Sequence, residues 1–179
     1  MSNKFKNIIN VIGFYICWWS CILGPSKDMN YIGPIVTLIF LFVHFYLFVS
    51  DIKEFYLILI VGVIGTVVDS LLFLSGSFVY AGSYIEGLAV APLWITAMWV
   101  AFAATVNHSM SFFKGRWVLM VLSGVVFGPA AYYTGQKFEA INFQLSIFGS
   151  VIILGIVWGI AMPLLFIINN YLGLDDYFF

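Results

Sequence analysis

Apolar residues run along this chain in long blocks, each closed by a short cluster of glycine, proline or charged residues. Six blocks stand out, at 7–23, 31–50, 55–76, 88–108, 117–135 and 143–170. An α-helix rises ~1.5 Å per residue, so about 20 such residues cross a hydrocarbon core ~30 Å thick. Gly24, Pro25 and Ser26 end the first block, and the charged turn of Asp51, Lys53 and Glu54 separates the second from the third. A loop at 77–87 with interfacial tyrosines Tyr80 and Tyr84 precedes the fourth, and a polar turn at 136–142 precedes the sixth. The sixth is long enough to tilt or to kink at Pro163, and a short acidic, aromatic tail at 172–179 follows it. The pattern predicts an all-α polytopic membrane protein: one transmembrane domain over 1–179, folded as a bundle of six helices. No connection is long enough for a soluble domain, and no repeat of the inverted-transporter kind is visible.

Composition makes the membrane reading firm. Hydrophobic residues are 63% of the chain and charged ones only 8%, against about 25% charged in soluble domains. So few charges cannot cover a globular surface, so lipid must solvate most of it. The net charge of −1 leaves no basic patch, and no nucleic-acid partner is expected. Aromatic residues, 20% of the chain, suit both a packed core and two interfacial belts. The lysine-containing start followed by an apolar run could also read as a signal peptide. Bulky Trp18 and Trp19, with no small-x-small cleavage site after them, predict that it is retained. With six spans, Lys4, Lys6, Lys53, Lys114 and Arg116 share one side, leaving only Lys27 and Lys137 opposite. By the positive-inside rule, both termini are expected in the cytoplasm.

Lipid gives helices no hydrophobic reward for associating, so small residues and polar contacts must hold them together. Gly62, Gly65, Asp69 and Gly76 share a face of the third span; Gly124, Gly128, Ala131 and Gly135 share one of the fifth. Gly155 and Gly159 lie on the sixth, and Ala97, Ala101 and Ala104 on the fourth. Spans three to six are therefore expected to pack most closely.

Asp69 is the sharpest chemical signal, the only acidic residue well inside a span. A carboxylate at mid-bilayer costs about 2.5–3.5 kcal/mol on the insertion scale, and is kept when paired, hydrated or protonated. A structural hydrogen bond to Thr66, Ser70 or another helix competes evenly with a functional role. Depth places Asp69 about 10 Å, and Trp94 about 9 Å, below the outer end of their helices. Tyr132 and Tyr133 lie near the same side, with Gln136 and Lys137 just above them. These six residues form a candidate outward-facing polar pocket; an aromatic belt accounts equally well for Trp94 and one tyrosine. On the cytoplasmic side His44, Asn107 and His108 are candidate polar residues. A histidine at a helix C-terminus is favoured by the helix dipole alone, and proton handling or substrate contact is the competing reading. Two histidines without a nearby carboxylate make no convincing metal site, so no metal is expected. Cys17 and Cys21, spaced CxxxC inside an apolar run, read as packing residues rather than a redox or zinc pair. Buried lysines, phosphate loops and the usual catalytic signatures are missing. No cofactor is expected, and whether the chain is an enzyme stays open.

The ordered run of PLW (92–94), Trp99, NHS (107–109) and FGPAAYY (127–133), together with intramembrane Asp69, resembles an uncharacterised family of small bacterial inner-membrane proteins. The resemblance spans nearly the whole chain and is most specific between Ala91 and Lys137. It implies a bacterial inner membrane and an association with lipid-modifying enzymes, but it brings no assigned catalytic residues. The favoured function is binding or processing of a lipid or other apolar small molecule, with membrane lipids as partners. The alternatives are a non-catalytic accessory subunit docked on another membrane protein through small-residue faces, or a small proton-coupled transporter using Asp69 and His108.

Overall fold

A computed structural model describes residues 3–49, 51–82 and 90–174. Tyr84 of the 77–87 loop and most of the acidic, aromatic tail lie outside the described residues. Among the described residues, six α-helices follow one another: α1 (Asn3–Leu23), α2 (Ile32–Leu47), α3 (Lys53–Leu74), α4 (Leu93–Ala103), α5 (Trp117–Lys137) and α6 (Ile147–Tyr171). α1, α3, α5 and α6 are long and apolar enough to cross a membrane. The chain is a multi-pass helical membrane protein.

Where six full-length spans were expected, the described residues form four long helices and two short ones. α2 has 16 residues and α4 only 11, or about 24 and 16 Å of helix. The apolar block at 88–108 does not form one helix because its two ends are chemically different from its middle. Pro92 holds an extended conformation as the N-cap (φ −65°, ψ 157°), so the helix begins only at Leu93. At the far end Thr105 Oγ1 donates to the Phe102 carbonyl at 2.6 Å, and the chain winds on through tight three-residue-spaced bonds from Thr105 to Phe102 and from Val106 to Ala103. A hydroxyl that takes a carbonyl in this way competes with the helix ladder. The 104–106 segment stays buried nonetheless, folded back into the bundle as a compact turn.

The second departure is a two-stranded antiparallel pair, β1 (Phe78–Tyr80) with β2 (Ile141–Phe143), in register Phe78↔Phe143 and Tyr80↔Ile141. Alternation sends these four side chains inward while Val79 and Asn142 point away. The sixth span therefore begins not at 143 but at Ile147, where Ser146 caps the helix by accepting from the Gly149 N–H at 3.1 Å.

The helices alternate in direction. The β pair marks one end of the bundle, the hairpin end. The α2–α3 turn, the turn after α4, the first half of α1 and the last turn of α6 mark the other, the terminal end. Packing is most extensive between α5 and α6, then between α3 and α4, but the expected single core of spans three to six does not form: the two pairs touch each other little, and α1 packs closely on α2. α4 is also wedged against α1 and α2. The molecule thus has two parts, α1–α4 and α5–α6, meeting along one seam.

Candidate functional site

Asp69 sits on that seam, completely buried. Oδ1 accepts from the Tyr80 hydroxyl at 2.7 Å and from the Tyr132 hydroxyl, and Oδ2 accepts from Trp99 Nε1 at 2.7 Å. Three neutral donors from β1, α4 and α5 converge on one carboxyl group, the arrangement that compensates for its lost hydration. Each donor is placed by local sequence. Gly65 lies one turn before Asp69 on α3, and a side chain there would overlap the Trp99 ring. Trp99 then stacks on Trp158 of α6, with centroids 4.6 Å apart and planes 3° from parallel. Trp158 approaches α5 only because Gly124 and Gly128 present no side chain to it. Tyr80 owes its position to the inward alternation of β1. Burial, with the Asp69 carboxyl beside it, pushes the Tyr80 phenol well above the ordinary tyrosine range, so it remains a neutral donor.

Along the same seam runs a cleft of about 520 Å³. Its walls are α1 (Val11, Phe14, Trp18) and α5 (Phe127, Ala131), and its floor is Met98, Trp99 and Phe102 of α4 with Trp158 of α6. Asp69 and Tyr132 line it toward the hairpin end; Thr105 and Ser109 line it toward the terminal end. Tyr15 and Phe127, one on each wall, are exposed and leave the cleft open between α1 and α5. Trp19 meets Phe138 edge-on at 5.4 Å near its hairpin end.

A second cluster lies at the terminal end, where the last turn of α2, the first turn of α3 and the turn after α4 converge. Glu54 Oε1 is 2.8 Å from His108 Nε2 and 3.3 Å from His44 Nε2, and the two imidazole rings meet edge-on at 4.9 Å. The expectation that the histidines lack a carboxylate is corrected here. Glu54 is 54 residues from His108 in sequence, and only the folding of α3 beside the 104–110 turn brings them together. One further tie fixes that turn: Asn10 of α1, fully buried, donates to the Ala104 carbonyl and accepts from the Ser109 hydroxyl.

A family profile matches residues 7–164. The chain belongs to that family, described as Protein of unknown function (DUF2878). No curated protein and no solved structure matches it.

In this DUF2878 chain the candidate residues divide. Tyr132 reaches Asp69 directly. Trp94 is buried one layer behind, donating to the Ala81 carbonyl at 2.9 Å and meeting Tyr80 edge-on. Tyr133 points away from Asp69 toward the exposed side, under the Lys137 ammonium at 5.2 Å. The Gln136 side-chain oxygen is buried without a hydrogen-bond partner among the described residues. Asn107 leaves the histidines and donates to Asn169 of α6 at 2.8 Å, a further tie across the seam. Sequence reasoning did not count Tyr80, Trp99, Trp158 or Glu54 among the candidate site residues, although Trp99 belongs to the run that carries the resemblance. Trp99 had a signal: glycine on the Asp69 face of α3 implies a bulky partner opposite.

Proposed function

We propose that this protein binds a lipid or another elongated apolar molecule in the cleft between α1 and α5, with Asp69 and its donors at the hairpin end of the bound molecule. The observation that carries this reading is the cleft itself. Its volume falls within the ~300–1,000 Å³ of small-molecule sites, and its lining is apolar with a few convergent polar groups. Burial of apolar area cannot select a ligand here, because bilayer tails are as apolar as the walls. Selection has to come from shape and from the polar groups, which cluster at the two ends of the cleft. Five of the seven basic residues, Lys4, Lys6, Lys53, Lys114 and Arg116, belong to the terminal end. By the positive-inside rule that end faces the cytoplasm, and the resemblance supports a bacterial inner membrane.

The accessory-subunit reading draws its motive from exposed small-residue faces. Gly62, Gly65, Gly124, Gly128 and Gly159 are instead occupied within the chain, by Val100, Trp99, Trp158 and Val125. The transporter reading joins Asp69 to His108, which fall in separate clusters. The test of the favoured reading is purification in a mild detergent followed by native mass spectrometry and lipid analysis. A lipid retained in about one copy per chain, and lost from Ala131→Trp, which fills the cleft, is the expected result. Wild-type protein carrying only the bulk lipid mixture refutes it.

A further inference from the structure

The geometry of His44, Glu54 and His108 points to a divalent transition-metal site: we propose that these three side chains bind one Zn²⁺-class cation at the terminal end of the bundle. This rests on a different set of residues from the cleft and does not depend on it. One ligand atom from each of the three residues lies within 4.8 Å of the other two. Bonds of ~2.0–2.2 Å in a tetrahedral or octahedral shell set ligand atoms about 3.0–3.5 Å apart. The two Glu54 distances, 2.8 and 3.3 Å, are close to such edges.

A second observation separates a metal site from a mere hydrogen-bonded trio. His44 is fully buried, and among the described residues neither of its ring nitrogens makes a hydrogen bond. Its Nε2 lies 3.3 Å from Glu54 Oε1, the same oxygen that His108 Nε2 meets at 2.8 Å, so both imidazoles converge on one carboxylate oxygen. The surroundings of His44 are aromatic: Phe48 stacks on its ring at 5.6 Å, with Phe40 and Phe45 beside it. A ring buried among phenylalanines, with Nε2 3.3 Å from a carboxylate oxygen yet outside hydrogen-bond geometry, is well matched to a cation held between the two. His108 is part-exposed at 14% and provides a way in.

The donor set defines the class of ion. Two imidazoles and one carboxylate suit Zn²⁺, Fe²⁺, Co²⁺ or Mn²⁺, whereas Mg²⁺ and Ca²⁺ take oxygen ligands. Three protein ligands also leave a position for water or a ligand, the pattern of open sites rather than closed structural ones. The three ligands come from three elements, so a bound ion would tie the α2–α3 turn to the turn after α4.

The experiment uses the full chain in detergent with any polyhistidine tag removed, stripped with chelator and then titrated separately with Zn²⁺ and Co²⁺. We expect one equivalent of metal per chain after gel filtration, a visible Co²⁺ spectrum of nitrogen–oxygen ligation, and a raised melting temperature. His44→Gln, Glu54→Gln and His108→Gln should each weaken binding by more than about 100-fold, beyond the usual loss from an outer-shell change, with elution and helix content unchanged. Should a variant fail to fold, the wild-type titration decides alone. A folded wild-type chain that takes up neither ion, or takes up as much as the folded His44→Gln variant, overturns the site.

Discussion

Replacing Asp69 by leucine removes the acceptor for three donors at once, and the structure sets the size of the loss. Transmembrane hydrogen bonds average about 0.6 kcal/mol and reach about 1.7. Three of them, from Tyr80, Trp99 and Tyr132, therefore sum to about 2–5 kcal/mol. Asparagine behaves differently. Its carbonyl oxygen can accept from Trp99 Nε1 while its amide donates to one phenol oxygen, because a tyrosine hydroxyl accepts as well as donates. At least two of the three bonds survive, since the amide has two N–H donors, and Asp69→Asn should lose no more than about 0.6–1.7 kcal/mol.

The assay is unfolding of the purified protein in mixed micelles by added denaturing detergent, followed by tryptophan fluorescence; Trp99 and Trp158 report directly on the seam. Tyr132→Phe, alone and combined with Asp69→Leu, closes a double-mutant cycle for the bond between the two parts of the molecule. A leucine variant within about 0.5 kcal/mol of wild type, a difference ordinary for surface changes, refutes the reasoning. So does an asparagine variant as damaging as leucine. If Asp69→Asn folds well yet loses the retained lipid, the carboxylate acts on the ligand and not only on the fold.

Two further predictions follow from the same seam. Gly65→Ala drives a methyl group into the Trp99 ring, which is held on both sides, and should cost about 1–3 kcal/mol in the same assay, whereas Gly155→Ala meets nothing nearer than 3.7 Å and should be close to neutral. The raised Tyr80 phenol contributes stability that is whole below pH about 10, the ordinary tyrosine value, and is lost as the pH rises beyond it; melting curves across that range should show a decline that Tyr80→Phe reduces.

The long helices were legible because lipid enforces one rule along their whole length, and the ends of α5 fall close to the sequence expectation. That spans three to six carry close contacts was legible in part, since glycine in a membrane helix is a statement about a neighbour, but the pairing was not: α4 packs on α1 and α2 as well as on α3. The length of α4 was not legible either. Its apolar block continues through Ala103, Ala104 and Val106, and hydropathy cannot tell a buried turn from a buried helix. Strands of three residues such as β1 and β2 carry too little period to be seen, so Tyr80 was left to a loop and a surface belt. Depth alone grouped Asp69 with Tyr132, which donates to it, but it could not choose between Tyr132 and Tyr133, which are adjacent in sequence and point different ways. Glu54 was read as part of a charged turn. Its link to His108 was accessible in principle, because the topology puts the 51–54 turn and the 107–109 segment on the same side.

The cleft and the buried carboxylate belong to one device for a physical reason. In a bilayer, α1–α4 and α5–α6 gain nothing from hiding apolar surface against each other, so the seam depends on a few specific ties: the Trp99–Trp158 stack, the Asp69 bonds, Asn107 to Asn169, and the β pair. Where those ties are dense, at α3 and α4 against α6, the seam is closed. Between α1 and α5 the described residues show the Trp19–Phe138 contact at the hairpin end and no such tie along the exposed rim at Tyr15 and Phe127, and there the seam stays open as the cleft. Trp99, Trp158, Tyr132 and Asp69 serve both functions, holding the two parts together and lining the space between them. A molecule seated in the cleft therefore touches the very groups that set the spacing of the two parts, and its binding must be coupled to the stability of the seam. Destabilising Asp69→Leu should weaken ligand retention, and a retained ligand should raise the unfolding midpoint of the wild-type chain more than that of Ala131→Trp.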